Sequence, residues 1–312
     1  STQIQAEDLV LDDLGTHTLS TVESRRILLA GNQTWPLSLT GPATTLEVLP
    51  GGDAAGGIST DRFGRLRILG GTISGTISTP PQFPEHGIDI EMTGGSFQNA
   101  SMGGGIMSIS GGSGQLLQLG YGGPAICPCQ LTMTGGTLQQ FHPLLTGRAN
   151  LSSGTVSWVN EEAGAEVTIS GANVGSVSLG GSSAYPAKLF VTGGSVGPVT
   201  TLGIKSYVTV SGGQVIGPVS CSLLEIRGIA FSVPFGDYTN PTFSQITGML
   251  ADGSALDLHF TMVRPPMGSS LLRVVQVPEP GALLYFLPAV SLLARRMPRR
   301  SSRRRRRMTR PS

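Results

Sequence analysis

Between Val167 and Arg227 the chain alternates short apolar–polar runs with glycine pairs: VTISGANVGSV, LFVTGGSVGPV, VTVSGGQVIGPV and LEIRG follow one another. The unit is aliphatic, any residue, aliphatic, Ser/Thr, Gly, Gly, polar, aliphatic. Upstream copies read LRILGGTI, IEMTGGSF, MSISGGSG and LTMTGGTL, with the weaker ANLSSGTV and the fainter ILLAGNQT and LEVLPGGD. The first turn position falls at Gly31, Gly51, Gly70, Gly94, Gly111, Gly135, Ser153, Gly171, Gly193, Gly212 and Gly228, in steps of 16 to 24 with a mean near 20. Two residues before it sit Leu29, Leu49, Ile68, Met92, Ile109, Met133, Leu151, Ile169, Val191, Val210 and Ile226, all apolar. Two residues after it sit Gln33, Asp53, Thr72, Ser96, Ser113, Thr137, Thr155, Asn173, Ser195 and Gln214, all polar. Pro50 reads as an insertion that shifts the Gly51 copy by one.

Alternation with period two over four or five residues predicts a strand. A glycine pair permits the positive φ of a sharp turn. Two or three short strands per 20 residues make one coil of a solenoid, and stacking lets neighbouring coils share a core that no single coil could bury. The pattern predicts an all-β protein: a single-stranded, right-handed parallel β-helix of ten to eleven coils over residues 22–230. The Ser/Thr residues before the glycines are expected to form a hydroxyl column that satisfies turn amides. The period lacks the LxxLxL frame of leucine-rich repeats and is half that of a propeller blade. Open solenoid ends need covers. Residues 1–21 are expected to cap one end. Residues 231–277 are expected to cap the other as an antiparallel unit, with a hairpin at Ala251-Asp252-Gly253.

Composition fits this picture. Glycine supplies 45 of 312 residues, about double the usual share of roughly 7%. Charged residues are only 13% and the apolar fraction is 39%, which excludes a disordered polyelectrolyte. The net charge of +2 conceals an asymmetry. Residues 281–312 hold ten arginines and no acid, whereas residues 1–280 hold 11 basic and 19 acidic side chains. The body therefore presents no basic face for nucleic acid.

Catalytic chemistry finds few carriers. Glycan-cleaving β-helices need paired carboxylates, or carboxylates holding Ca²⁺ beside a base. From Met92 to Leu224 the acids are Glu161, Glu162 and Glu166, and the bases are Arg148, Lys188, Lys205 and His142. Glu161 and Glu162 read as a solvated turn, pointing to opposite sides if extended. The densest charged cluster is Asp53, Asp61, Arg62, Arg65 and Arg67, to which stacking could add Asp89 and Glu91; it is the one place where a catalytic or Ca²⁺ site is considered. His17, His86, His142 and His259 are isolated, and no zinc, phosphate-loop or nucleophile-elbow spacing occurs. Cys127, Cys129 and Cys221 lack metal-ligand spacing and read as small apolar fillers. No metal, cofactor or catalytic residue is expected.

The end of the chain carries the sharpest motif. Pro278-Glu279-Pro280 and Gly281 precede a 13-residue apolar stretch, which contains Ala282, Leu283, Leu284, Tyr285, Phe286, Leu287, Val290, Leu292 and Leu293 and leads to Arg295 and Arg296. A stable spanning helix needs about 20 residues, and Pro288 interrupts this one. Such a segment suits a short hydrophobic helix that stops in the membrane temporarily, with its arginines held on the cytoplasmic side. The arrangement resembles the bacterial PEP-CTERM sorting signal. One departure is that the chain runs on for 16 residues past Arg296.

The resemblance implies export across the inner membrane, transient attachment there and cleavage near the Pro-Glu-Pro by an exosortase-type membrane enzyme. It also implies a place at the cell envelope, cell surface or outside the cell, in association with extracellular polysaccharide. The body resembles, in repeat style, the Gly-rich β-helical regions of exported bacterial surface proteins. Together these features point to a non-enzymatic surface or matrix protein. A glycan- or ice-binding module on the polar columns is the alternative, and a polysaccharide lyase or glycoside hydrolase the lesser one.

Overall fold

The computed structural model describes residues 9–11, 26–34, 36–39, 44–60, 64–79, 88–120, 129–145, 147–203, 205–263 and 270–278. The chain divides into two units, Ser1–Gln276 and Val277–Ser312. All the described strands belong to the first. The apolar segment expected to form a short helix belongs to the second and lies outside the described residues.

Every described element is a strand, and no helix occurs among the described residues. The strands stack in three parallel columns. The first column pairs Leu9–Leu11 with Arg26–Leu29, then continues in register: Ile27, Leu46, Leu66, Ile90, Met107, Leu131, Ala149, Val167, Leu189, Val208 and Leu224 stack one above another. Ten successive coils, opening at Arg26, Thr45, Arg65, Ile88, Gly105, Cys129, Gly147, Glu166, Ala187 and Ser206, have strands in all three columns. About nine turns therefore separate the first of these coils from the last. This is a parallel β-solenoid, with rungs ~4.8 Å apart.

The core is the inside of the coils. The inward pairs of the first column, such as Met107 with Ile109 and Val167 with Ile169, are buried. Ile77, Ala100, Leu117, Phe141, Val159, Val177, Val199 and Val219 line the third column from within. Second-column packing is complementary: the Phe97 ring fills the space where a Cβ on its register partner Gly114 would lie.

Several register details differ from the sequence reading. Val48, not Leu49, aligns with Leu29 and Ile68, because Pro50 follows the strand end and displaces the turn. Asn32 occupies the outward place expected for Gln33, and Gln33 faces inward at 1% exposure. Five of the hydroxyls before the glycines serve carbonyls rather than turn amides. Those of Ser110, Thr134, Ser152, Thr192 and Ser211 donate to the carbonyls of Met92, Ile109, Met133, Ile169 and Val191, one coil earlier. Parallel coil-to-coil pairing already uses the amides, so the hydroxyls meet the carbonyls' second lone pairs.

The Ala251-Asp252-Gly253 hairpin joins Gln245–Leu250 to Ala255–Met262 in antiparallel register. Its turn docks on a corner of the coil that opens at Ser206: Gly213 N–H donates to Asp252 at 2.8 Å, and the Ser254 hydroxyl donates to the Gly213 carbonyl. Not all of this region is antiparallel cover. Ala255–Met262 extends the third column above Val219–Cys221, and Leu271–Gln276 extends the first above Leu223–Phe231, both in parallel. The outer edge of Leu271–Gln276 is taken by Gly236–Thr239, antiparallel, which blunts an open edge.

Candidate functional site

The charged cluster of the first coils resolves into an ion-pair ladder on the outer face of the first column. Arg26 donates to Glu47 at 2.7 Å, Arg67 bridges Glu47 at 2.8 Å and Glu91 at 3.0 Å, and Arg65 reaches Glu91 at 3.0 Å. Each pair spans adjacent rungs, and Arg67 stands in direct register with both Glu47 and Glu91. Glu47 is 3% exposed, and the Arg26 guanidinium, then Arg67, hold its carboxyl below the ordinary value against the opposing effect of burial. Both arginines are thereby consumed as structural partners. Asp53 lies apart, in the second column, where it accepts from the Ser74 amide and hydroxyl. Asp61 and Arg62 lie outside the described residues. Among the described residues no three His, Cys, Asp or Glu side chains converge to hold a metal ion. Glu47 was not singled out in the sequence, although its place one residue before a core valine in a strand opposite Arg67 is the signal that would have found it.

The polar residues after the corners do form a column. Asp53, Thr72, Ser96, Ser113, Thr137, Thr155, Asn173, Ser195 and Gln214 stack in register along the outside of the second column. Ser195 donates to Asn173 at 2.8 Å, and Ser96 approaches Thr72 at 3.4 Å.

A longer ladder, not identified in the sequence, runs up the third column. Ser38, Ser59, Ser78, Ser101, Gln118, His142, Asn160, Ser178, Thr200, Ser220 and Thr261 face outward on successive rungs. None is an acid, lysine or arginine. Burial depresses His142, opposed by the nearby Glu162 charge, so its imidazole is neutral near pH 7. Half-buried Trp158 stands beside the ladder, edge-on to His142 with centroids 5.5 Å apart, and its indole N–H lies 3.4 Å from the Ser178 hydroxyl. The signal was the apolar–polar–apolar triplet that recurs in the second half of each repeat, as in Leu117-Gln118-Leu119 and Val177-Ser178-Leu179.

Glu161 reverses the expectation of a solvated turn. It is an inward-facing residue of the strand Gly147–Glu162 and is 0% exposed, while Glu162 faces out. The strand continues through both residues, so alternation sends the first into the core. Cys129 and Cys221 are buried, and burial pushes the Cys221 thiol far up. Cys127 lies outside the described residues.

Of the sorting motif, Pro278 is described and exposed, two residues past the last strand. Glu279, Pro280, the apolar residues 282–293, Arg295 and Arg296 lie outside the described residues. No described helix is long and apolar enough to cross a membrane. No protein-family model, curated protein or solved structure matches the chain.

Proposed function

We propose that this chain is an exported bacterial envelope protein whose body is a non-catalytic, right-handed structural solenoid, sorted through a PEP-CTERM-type signal at its end. The observation that carries the reading is the order Pro278-Glu279-Pro280, thirteen apolar residues and paired arginines, which begins two residues after the last solenoid strand. A cut there would leave every rung intact. The right hand follows from the strong preference of parallel crossovers. The partners are an exosortase-type processing enzyme, the inner membrane in passing, and extracellular polysaccharide. Support for a structural rather than catalytic body comes from the use of Arg65, Arg67 and Glu91 as mutual partners.

The test is fractionation of an exosortase-bearing host that expresses the wild type or a variant with Pro278, Glu279 and Pro280 all changed to alanine. The wild type is expected outside the inner membrane and the variant within it. Retention of both in the inner membrane would refute sorting.

A second reading is favoured by the third-column ladder. Eleven uncharged rungs beside Trp158 offer hydroxyl and amide groups at a fixed repeat, with an aromatic face, to an extended neutral glycan.

A further inference from the structure

In the inward line of the third column, register places Met102, Leu119, Pro143, Glu161, Leu179, Thr201 and Cys221 above one another. Glu161 is the one ionisable carboxyl in that line, and it is wholly buried. Its Oε1 accepts from the Lys188 amide at 2.8 Å, and the same amide donates to the Ala165 carbonyl at 3.1 Å. Lys188 belongs to the coil that opens at Ala187, two coils beyond the one Glu161 ends. The carboxyl therefore links the corner across the intervening turn.

Among the described residues no cation compensates the carboxyl. The Lys188 ammonium is turned outward, 3.9 Å from Glu166, and both side chains are about 40% exposed. Glu162 faces solvent, neutral His142 lies on the outer side of the coil below, and Lys205 begins the next corner up, half-buried. The second oxygen, Oε2, is buried with no hydrogen-bond partner. A charged carboxylate left so would be unsolvated on one side, whereas a protonated acid leaves only a weak acceptor or a hydroxyl there. Burial pushes the Glu161 carboxyl well above its ordinary value of 4.5; the Lys188 amide opposes this, and Glu166 adds to it.

We propose that Glu161 is carried inside the solenoid as an uncharged acid, and that its ionisation as pH rises loosens the corner joining the coils that open at Gly147, Glu166 and Ala187. The direction follows from linkage. The folded state holds the proton more tightly than the unfolded one. The stabilising contribution is complete below about pH 4.5 and is lost as pH rises through the folded-state value. Each pH unit in that window changes the unfolding equilibrium up to about tenfold.

The experiment is denaturant unfolding of the full chain across pH 4 to 10 for the wild type, Glu161→Gln and Glu161→Leu. Protection of the Lys188 amide against hydrogen exchange is measured alongside. Relative to both variants, the wild type is expected to lose stability by up to tenfold in the equilibrium constant per pH unit above pH 4.5. Lys188 protection is expected to fall in the wild type alone. Glu161→Leu, which matches Leu119 and Leu179, keeps the comparison open should the amide variant fail to fold. Parallel stability–pH curves for wild type and leucine variant, with unchanged Lys188 protection, would overturn the proposal.

Discussion

At a glycine-pair corner such as Gly94-Gly95 two demands fall on consecutive residues. Gly94 must pass over the backbone of the coil beneath, where a Cβ would collide with the Leu69 carbonyl. Gly95 must adopt φ +72°, and a Cβ there would press on the Gly71 carbonyl. Gly253, in the hairpin turn, shares the left-handed conformation at φ +85°, but a Cβ there would meet no atom within 4 Å. The two positions separate conformational strain from crowding. Gly253→Ala should cost about 1 kcal/mol, the left-handed penalty alone. Gly95→Ala should cost about 3 kcal/mol, since overpacking against backbone adds to it. Urea unfolding of the two variants checks this, and equal losses would show that crowding at the corner is unimportant. Glycine pairs were legible in the sequence because they recur in register with apolar columns. The fate of Glu161 was not, since two adjacent acids resemble a solvated turn unless the strand is known to continue through them.

At the scale of the element, each strand column repeats one chemical choice. The first column changes character along its length: the charged partners Glu47, Arg67 and Glu91 give way to Ser108, Thr132, Asn150 and Thr168 on the same outward line. The outward line of the third column from Ser38 to Thr261 carries no acid, lysine or arginine. That column carries the glycan reading, and Trp158 is its test. Trp158→Ala removes the aromatic face while leaving the inward Val159 and the strand pairing in place, so it should weaken retention on an insoluble neutral polysaccharide about tenfold or more, with the variant still folded by its β-sheet circular dichroism. Equal retention of wild type and variant, or none by either, would remove the second reading. The first-strand columns were legible from the run preceding each glycine pair. The third column was hidden because Gly, Pro or an extra residue interrupts the way to it, as at Gly197-Pro198.

At the scale of the whole molecule, the stacked coils supply a shared core and leave few groups for chemistry. Uneven coil lengths are absorbed at the corners without disturbing the parallel register, which is why a period drifting between 16 and 24 residues still announced one solenoid. The final residues of the region expected as a cap instead add parallel rungs, a distinction that depends on long-range pairing rather than on local alternation. The proposed function requires that this solenoid be delivered outside the inner membrane and parted from its arginine-rich end. The most direct measurement is the intact mass of the protein recovered from the surface or medium of an exosortase-bearing host. The chain expected there ends near Pro280 and lacks all ten terminal arginines. A recovered mass that includes residues 281–312 would contradict it.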